Sequence, residues 1–252
     1  MSIAKKATME DAKIKCMVWG DSGTGKSRFG LSAPSPLVID TEDSTSLYSN
    51  EFDFFVGKID ATKKEQRNAV MLTATIIEEI EQGQYPQIKT LVVDCLTDIL
   101  EEVESASATQ YEKTLGGKTV LDLNAVQKTK WYAFRRNNIR RMIDRLKALP
   151  LNLILVCRSK DVWGQVQGKM QPIGKTYDAH ELTEWLMDVV IKLDKKGKDI
   201  TATVTKSRIG DLAETIEVTK GYQSIIEAVG KKATTTKTAT KNEKEKSNEN
   251  KV

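Results

Sequence analysis

Apolar residues along the chain follow two different periods. Ile14–Trp19, Leu37-Val38-Ile39, Leu91-Val92-Val93 and Leu151–Val156 are short, nearly continuous apolar runs. Such runs predict strands buried on both faces. Between them the spacing becomes helical. Val70, Leu72, Ile76, Ile77 and Ile80 predict a helix over 64–82, and a second is expected over 96–113. A third, over 125–149, carries Trp131, Phe134, Met142, Leu146 and Leu149 on one side. Arg136, Arg140, Arg141, Arg145 and Lys147 lie largely on its other side. Pro34 and Pro36 exclude helix before Leu37, the Gly116-Gly117 pair breaks the second helix, and Pro150 ends the third.

Nearer the C-terminus, 188–194 and 200–206 predict two strands around the turn Lys195–Lys198. A strand over 214–219 and a helix over 222–229 follow. The polar, glycine-bearing segment 158–180 reads as a loop. This alternation predicts an α/β fold, a mainly parallel sheet with helices on both faces and antiparallel strands at the C-terminal end.

Composition divides the chain further. Residues 231–252 are a Lys/Thr/Asn/Glu tail with almost no large apolar side chain, expected to be disordered. Residues 1–12 read as an N-terminal extension and 13–230 as the folded domain. The tail holds seven lysines and three glutamates. The whole chain has 39 basic and 35 acidic residues, so 32 of each remain outside the tail. The net charge of +4 is therefore no argument that the folded part binds nucleic acid, which local patches must make instead. The basic side of the third predicted helix is either a solvated face or such a patch. No apolar run is long enough to cross a membrane, and the N-terminus lacks the apolar core of a signal peptide, so a cytoplasmic location is expected. Cys16, Cys95 and Cys157 fall in or beside predicted strands without metal-ligand spacing, and read as core thiols in a reducing compartment.

Residues Gly20-Asp21-Ser22-Gly23-Thr24-Gly25-Lys26-Ser27 fit the phosphate-binding loop G-x-x-x-x-G-K-[ST] at every fixed position. A strand precedes the loop and a helix-compatible stretch follows it, the context that the motif requires. Glycines let backbone N–H groups turn in around phosphates. Lys26 is expected at the β- and γ-phosphates of ATP, and Ser27 at Mg²⁺. The second motif is Leu91-Val92-Val93-Asp94, whose aspartate is the expected partner of that Mg²⁺. Cys95 follows where many such enzymes carry a catalytic glutamate, so a base must come from elsewhere. Glu42, after the second strand in Val38-Ile39-Asp40-Thr41-Glu42-Asp43, is the candidate. The competing reading of this segment is a solvated acidic turn.

The order GDSGTGKS, VIDTE, LVVDCLTDIL resembles the RecA/RadA recombinase ATPase core over residues 13–220. Its compact spacing looks most like the phage-encoded RecA-like proteins, some of which act in single-strand annealing or recombination. The resemblance implies a RecA-like P-loop NTPase core and places the catalytic base on Glu42. It also implies that Lys206 and Arg208, a basic-x-basic pair after an extended strand, reach ATP held by a neighbouring subunit. Ordinary charges along an edge strand are the alternative. A homo-oligomer and single-stranded DNA are the implied partners, with a single-strand-binding protein as a further one. The implied location is then the host cytoplasm. Lys160, Trp163 and Lys169 fall where that family carries its DNA-binding loops, with Arg158 just before them as a further candidate contact, and an aromatic among lysines suits stacking on bases. A lid loop is the alternative there.

Three departures stand out. Cys157-Arg158-Ser159-Lys160 replaces an expected polar amide, leaving Arg158 open as a γ-phosphate sensor or a DNA contact. Little chain precedes the first strand, which leaves ring or filament undecided. Tyr48 lies near the place of an adenine-stacking tyrosine in uncertain register. A nucleotide-switched assembly or loading ATPase acting on a protein is the rival function. A small-molecule phosphotransferase would need an arginine-rich lid that the sequence does not display.

Overall fold

The computed structural model describes residues 12–209 and 212–228. The expected tail (231–252) and all but the last residue of the N-terminal extension lie outside the described residues. In chain order the elements are β1 (Lys15–Gly20), α1 (Lys26–Leu31), β2 (Pro36–Asp40), β3 (Phe55–Lys58), α2 (Ala69–Glu81), β4 (Thr90–Asp94), α3 (Leu96–Glu112), α4 (Ala125–Ala148), β5 (Asn152–Val166), β6 (Lys169–Tyr177), α5 (Glu181–Leu186), β7 (Val189–Lys196), β8 (Asp199–Ser207) and β9 (Thr215–Glu217). Residues 222–228 are helical.

The sheet runs β3-β2-β4-β5-β1-β7-β8-β9, with β6 off this path and paired with β5. Pairing is parallel from β3 through β7 and antiparallel for β7–β8 and β8–β9, matching the expected fold class. Strand residues alternate between two cores. Met17, Leu37, Ile39, Leu91, Val93, Leu153 and Leu155 face α2, α3 and α4, where Leu72, Ile99, Ile139 and Ile143 meet them. Cys16, Val18, Val38, Val92, Ile154 and Val156 face α1 and the helix at 222–228, through Phe29, Leu31, Tyr222 and Ile225. Both faces of each central strand are covered, which is why the strands read as unbroken apolar runs.

Helix boundaries follow their caps. Asn68 accepts a hydrogen bond from the Met71 N–H at 2.8 Å, so α2 starts at Ala69 rather than at 64. Residues 64–66 form a separate 3-10 turn. Asn124 and Gln127 bond reciprocally at the start of α4, a capping box. Ile139 and Ile143 join the buried side of α4, whereas Phe134 is only half-buried. The arginines at 136, 140, 141 and 145 are exposed, as the spacing predicts. β3 was not expected from the sequence. It is a four-residue edge strand whose Phe55 and Val56 remain exposed, so it lacks the fully apolar signature of the central strands.

The main correction concerns 158–180. Instead of a loop, β5 continues past the sheet edge and returns as β6, an antiparallel arm with a register shift beside Trp163. Gln167 and Gly168, both at positive φ (51° and 78°), make its two-residue turn. Positive φ at both central residues is the turn geometry that suits the right-handed twist of a hairpin. Glycines and lysines in this stretch hid its two-residue period.

One buried cation marks the far end of β1. Lys15 Nζ donates to Leu149 O (2.8 Å) and Leu151 O (2.6 Å), and burial lowers its pKa to about 8, below its ordinary 10.5. Between those two pH values the unfolded chain holds the extra proton, so stability rises with pH across this window. Urea denaturation at pH 8 and pH 10 should show the native chain gaining stability relative to Lys15→Met; parallel pH profiles for the two would contradict the assignment.

Candidate functional site

Parallel pairing brings the chemistry to one end of the sheet. Gly20 is in register with Arg158, and Asp40 with Asp94, at the carboxyl ends of four adjacent strands. In open α/β sheets this edge is where ligands bind. The loop 20–27 spans from β1 to α1. Gly20 has φ 154°, and a Cβ there would lie 2.4 Å from Leu193 O, so no other residue fits without displacing β7. Thr24 folds the loop inward by donating Oγ1 to Asp21 O at 2.8 Å. Lys26 Nζ spans the mouth, donating to Gly20 O (2.9 Å) and Asp21 O (2.8 Å). Burial lowers its pKa, while the charges of Asp94, Cys95, Glu42 and Asp21 act against the shift.

Asp94 is 4% exposed and accepts a hydrogen bond from the Ser27 hydroxyl. Its Oδ2 is buried without a hydrogen-bond partner. Burial pushes its pKa up to about 6, against the Ser27 hydrogen bond. A buried carboxylate oxygen without a partner is costly unless a cation or donor meets it. A hydroxyl and a carboxylate side by side beneath a phosphate loop are the hard oxygen donors that Mg²⁺ selects. The residues present therefore fit the ion, and Ser27 and Asp94 are the ones that could hold it.

The segment after β2 is both a turn and a presenting device. Buried Asp40 accepts from the N–H groups of Glu42 (3.2 Å), Ser44 (3.3 Å) and Thr45 (2.9 Å) and from Thr45 Oγ1 (2.6 Å). This web leaves Glu42 exposed at the cleft. Arg158 Nε and NH2 donate to Glu42 Oε1 at 3.0 and 2.7 Å, and NH2 also lies 2.8 Å from Asp98 Oδ1. Burial opposes the Arg158 charge. The Glu42 hydrogen bond and the charges of Cys95, Asp98 and Glu42 outweigh it and raise the pKa further above its ordinary value. Thr41 links the layers: its Oγ1 donates to Asp98 Oδ2 (2.6 Å) and accepts from Cys95 N–H (2.9 Å). Asp40, Thr41 and Asp98 were not expected from the sequence. Asp40 carried the one readable signal, a strand-ending aspartate before turn-forming residues.

Loop, Glu42, Asp94, Arg158, Ser159 and Tyr48 line one cleft of about 400 Å³. At Gly25 it meets a larger cavity of about 990 Å³, bounded by Arg28, Phe29, Phe52, Ile200, Val218 and Gly221 among others. The Arg28 guanidinium sits over the rings of Tyr48 (5.6 Å) and Phe52 (5.5 Å), where the two cavities adjoin. Phosphates in the loop would leave the rest of a nucleotide directed into this aromatic-lined space.

Other expected residues lie elsewhere. Lys206 and Arg208 are at the opposite end of the sheet, because β8 runs antiparallel to β7. There Lys206 Nζ donates to Glu184 O, and Arg208 NH2 donates to Trp185 O. They are not part of this chain's own cleft. Lys160 pairs with Asp178 at 3.1 Å, at the foot of the arm. Trp163, 59% exposed, lies farther out on the arm, and Lys169 is next to its turn. Cys16, Cys95 and Cys157 are buried free thiols, with Cys16 pushed up to about 12 by burial. Among the described residues no helix is long and apolar enough to cross a membrane.

Fold and site together define a P-loop nucleotide-binding α/β protein. The chain belongs to the family described as AAA domain, whose model matches residues 12–241. No curated protein matches the sequence.

The unpartnered Asp94 oxygen yields a stability test. In Asp94→Asn a neutral amide replaces the buried charge. Without Mg²⁺ the variant should be more stable to urea at pH 7 by about 1–3 kcal/mol, the scale of a buried carboxyl whose pKa is raised from 3.8 to about 6. It should also lose the Mg²⁺ dependence of nucleotide binding. Equal or lower stability would mean that Asp94 is satisfied in the free chain.

Proposed function

We propose that this chain is a Mg²⁺-dependent ATPase of the RecA-like, phage-type branch that binds single-stranded DNA and assists annealing or strand exchange. The observation that carries the ATPase part is the placement of Glu42 across the cleft from Lys26, with Asp94 and Ser27 beneath. In this reading Lys26 leaves the loop carbonyls for the β- and γ-phosphates. Glu42 orients a water at the γ-phosphate and takes its proton. Ser27 and Asp94 would hold Mg²⁺, which when bound would supply positive charge against the phosphate oxygens. The base and ribose occupy the larger cavity against Phe52 and Val218–Gly221.

The DNA part rests on the arm. Trp163 (59% exposed), Met170 (64%) and Ile173 (58%) present apolar surface on it, with Lys160 and Lys169 nearby. Aromatic rings beside cations suit bases and phosphates of a single strand. Lys206 and Arg208 serve a neighbouring copy: a cation at the far end of one sheet meets the cleft of the next only in a head-to-tail oligomer. Delivered in trans, it would stabilise charge on the γ-phosphate.

Glu42→Gln should bind ATP·Mg²⁺ and hydrolyse it about 10²-fold or more slowly, the scale of a positioned base. An unchanged rate would remove Glu42 from the mechanism. Wild-type turnover should rise with oligo-dT, and Trp163→Ala should lose that rise and bind oligo-dT more weakly. The deletion of 231–252 separates arm binding from tail electrostatics. A turnover indifferent to single-stranded DNA would favour a loading ATPase with a protein partner.

The subunit reading has its own test. Lys206→Ala/Arg208→Ala mixed with Lys26→Ala should recover part of the activity, each supplying what the other lacks. Mixed oligomers as inactive as both parents would exclude action in trans.

A further inference from the structure

The nucleotide cleft and the arm are fastened together at Asp21, a contact that the hydrolysis reading does not use. Asp21 directly follows Gly20 in the phosphate loop. Its carboxylate takes Lys175 Nζ at 2.8 Å on both oxygens, and Ser159 Oγ donates to its Oδ1 at 2.5 Å. Ser159 is in β5 and Lys175 in β6, so both strands of the arm grip the one side chain. Asp21 acts on the other side through its backbone. Its carbonyl accepts from Lys26 Nζ and from Thr24 Oγ1. The same residue thus holds the arm with its side chain and the phosphate-seeking lysine with its main chain.

The pair is too exposed to matter much for folding: Lys175 is 47% and Asp21 51% exposed. Its geometry serves position instead. The other ties of this two-stranded arm to the domain gather at its foot, where Tyr177 of β6 packs on Trp19 and donates to Glu184. At its foot Arg158 holds Glu42 and Asp98, Lys160 holds Asp178, and Asp178 N–H donates to Arg158 O. Among these side-chain contacts of the described residues, the Asp21 one reaches the phosphate loop itself.

We propose that Asp21, Ser159 and Lys175 form a clasp that transmits nucleotide binding to the β5–β6 arm, with Lys175 as its positioning residue. A triphosphate draws Lys26 off the Asp21 carbonyl and adds negative charge beside the Asp21 carboxylate. The more negative potential holds Lys175 more firmly, and β6 with it. An ordered arm presents Trp163 and Lys169 in one geometry, so a ligand of the arm binds more tightly when nucleotide is bound. By linkage that ligand tightens nucleotide binding by the same factor.

The test uses the full chain and a non-hydrolysable ATP analogue with Mg²⁺. Amide hydrogen exchange across 159–161 and 175–177 should slow about fivefold or more on saturation, the lower end of ordinary coupling. Lys175→Met should still saturate with the analogue but lose the slowing. Lys175→Arg, which keeps the charge, should restore it. Asp21→Asn combined with Lys175→Met should do no more than Lys175→Met alone. Exchange in the wild-type arm that ignores nucleotide, or slowing that survives in Lys175→Met, would overturn the clasp. The partner reading, on which only the next readout rests, is tested separately with oligo-dT. Its affinity should rise about fivefold with the analogue in wild type and not in Lys175→Met. Exchange that responds as expected while oligo-dT fails to bind would support the clasp and remove DNA as the arm's ligand.

Discussion

Parallel register is the constraint on which everything at the cleft depends. β1 lies between β5 and β7, and β4 between β2 and β5, so β1, β2 and β4 end at one level, where β5 leaves the sheet as the arm. That level brings Gly20 beside Arg158 and Asp40 beside Asp94. A shift of one residue in any of these strands would reverse which side chains enter the two cores. Because both cores are filled, the register has no freedom, and the cleft inherits that rigidity. The glycine at the end of β1 belongs to the same constraint, since its missing Cβ is what lets β7 approach through Leu193.

At the cleft the structure holds groups that cost stability. Asp94 keeps a buried oxygen without a partner, and Lys26 is held below its ordinary pKa by burial. Such sites are where proteins depart from the arrangements that would maximise folding. Neighbouring contacts offset the cost by fixing the side chains that face the ligand. Thr41 ties the Glu42 turn to α3, Asp40 shapes that turn from below, and Arg158 clamps Glu42 from β5. Arg158 therefore enters the site as a partner of carboxylates, a role that its place after an apolar strand does not suggest.

The arm is the least sheet-like part of the sheet. β5 is two strands in one: its first half is buried between β4 and β1, and its second half is paired, among the described residues, only with β6. Trp163, Met170 and Ile173 leave exposed apolar side chains on this extension. Its foot stands on the cleft through Arg158, Ser159 and Lys175, which reach Glu42 and the phosphate loop at Asp21.

Local chemistry made part of this protein legible from its residues. The phosphate loop is contiguous, and its strand and helix neighbours are too. The central strands are apolar on both faces, and Asp94 ends one of them, so their identities needed no long-range information. Pro150 likewise marked the end of α4 within a few residues. What spans long sequence separations was not legible. The edge strand β3 is short and half-exposed, and the arm was concealed because its lysines and glycines resemble loop composition. The contacts Arg158–Glu42 and Lys175–Asp21 join residues more than a hundred positions apart. Nothing in a linear pattern pairs one exposed charge with another. The sequence by itself determined the fold class and the phosphate-binding loop, because both arise from short-range periodicity and backbone geometry. Only the tertiary structure decided which carboxylates and cations share the cleft, because strand order and register set those distances.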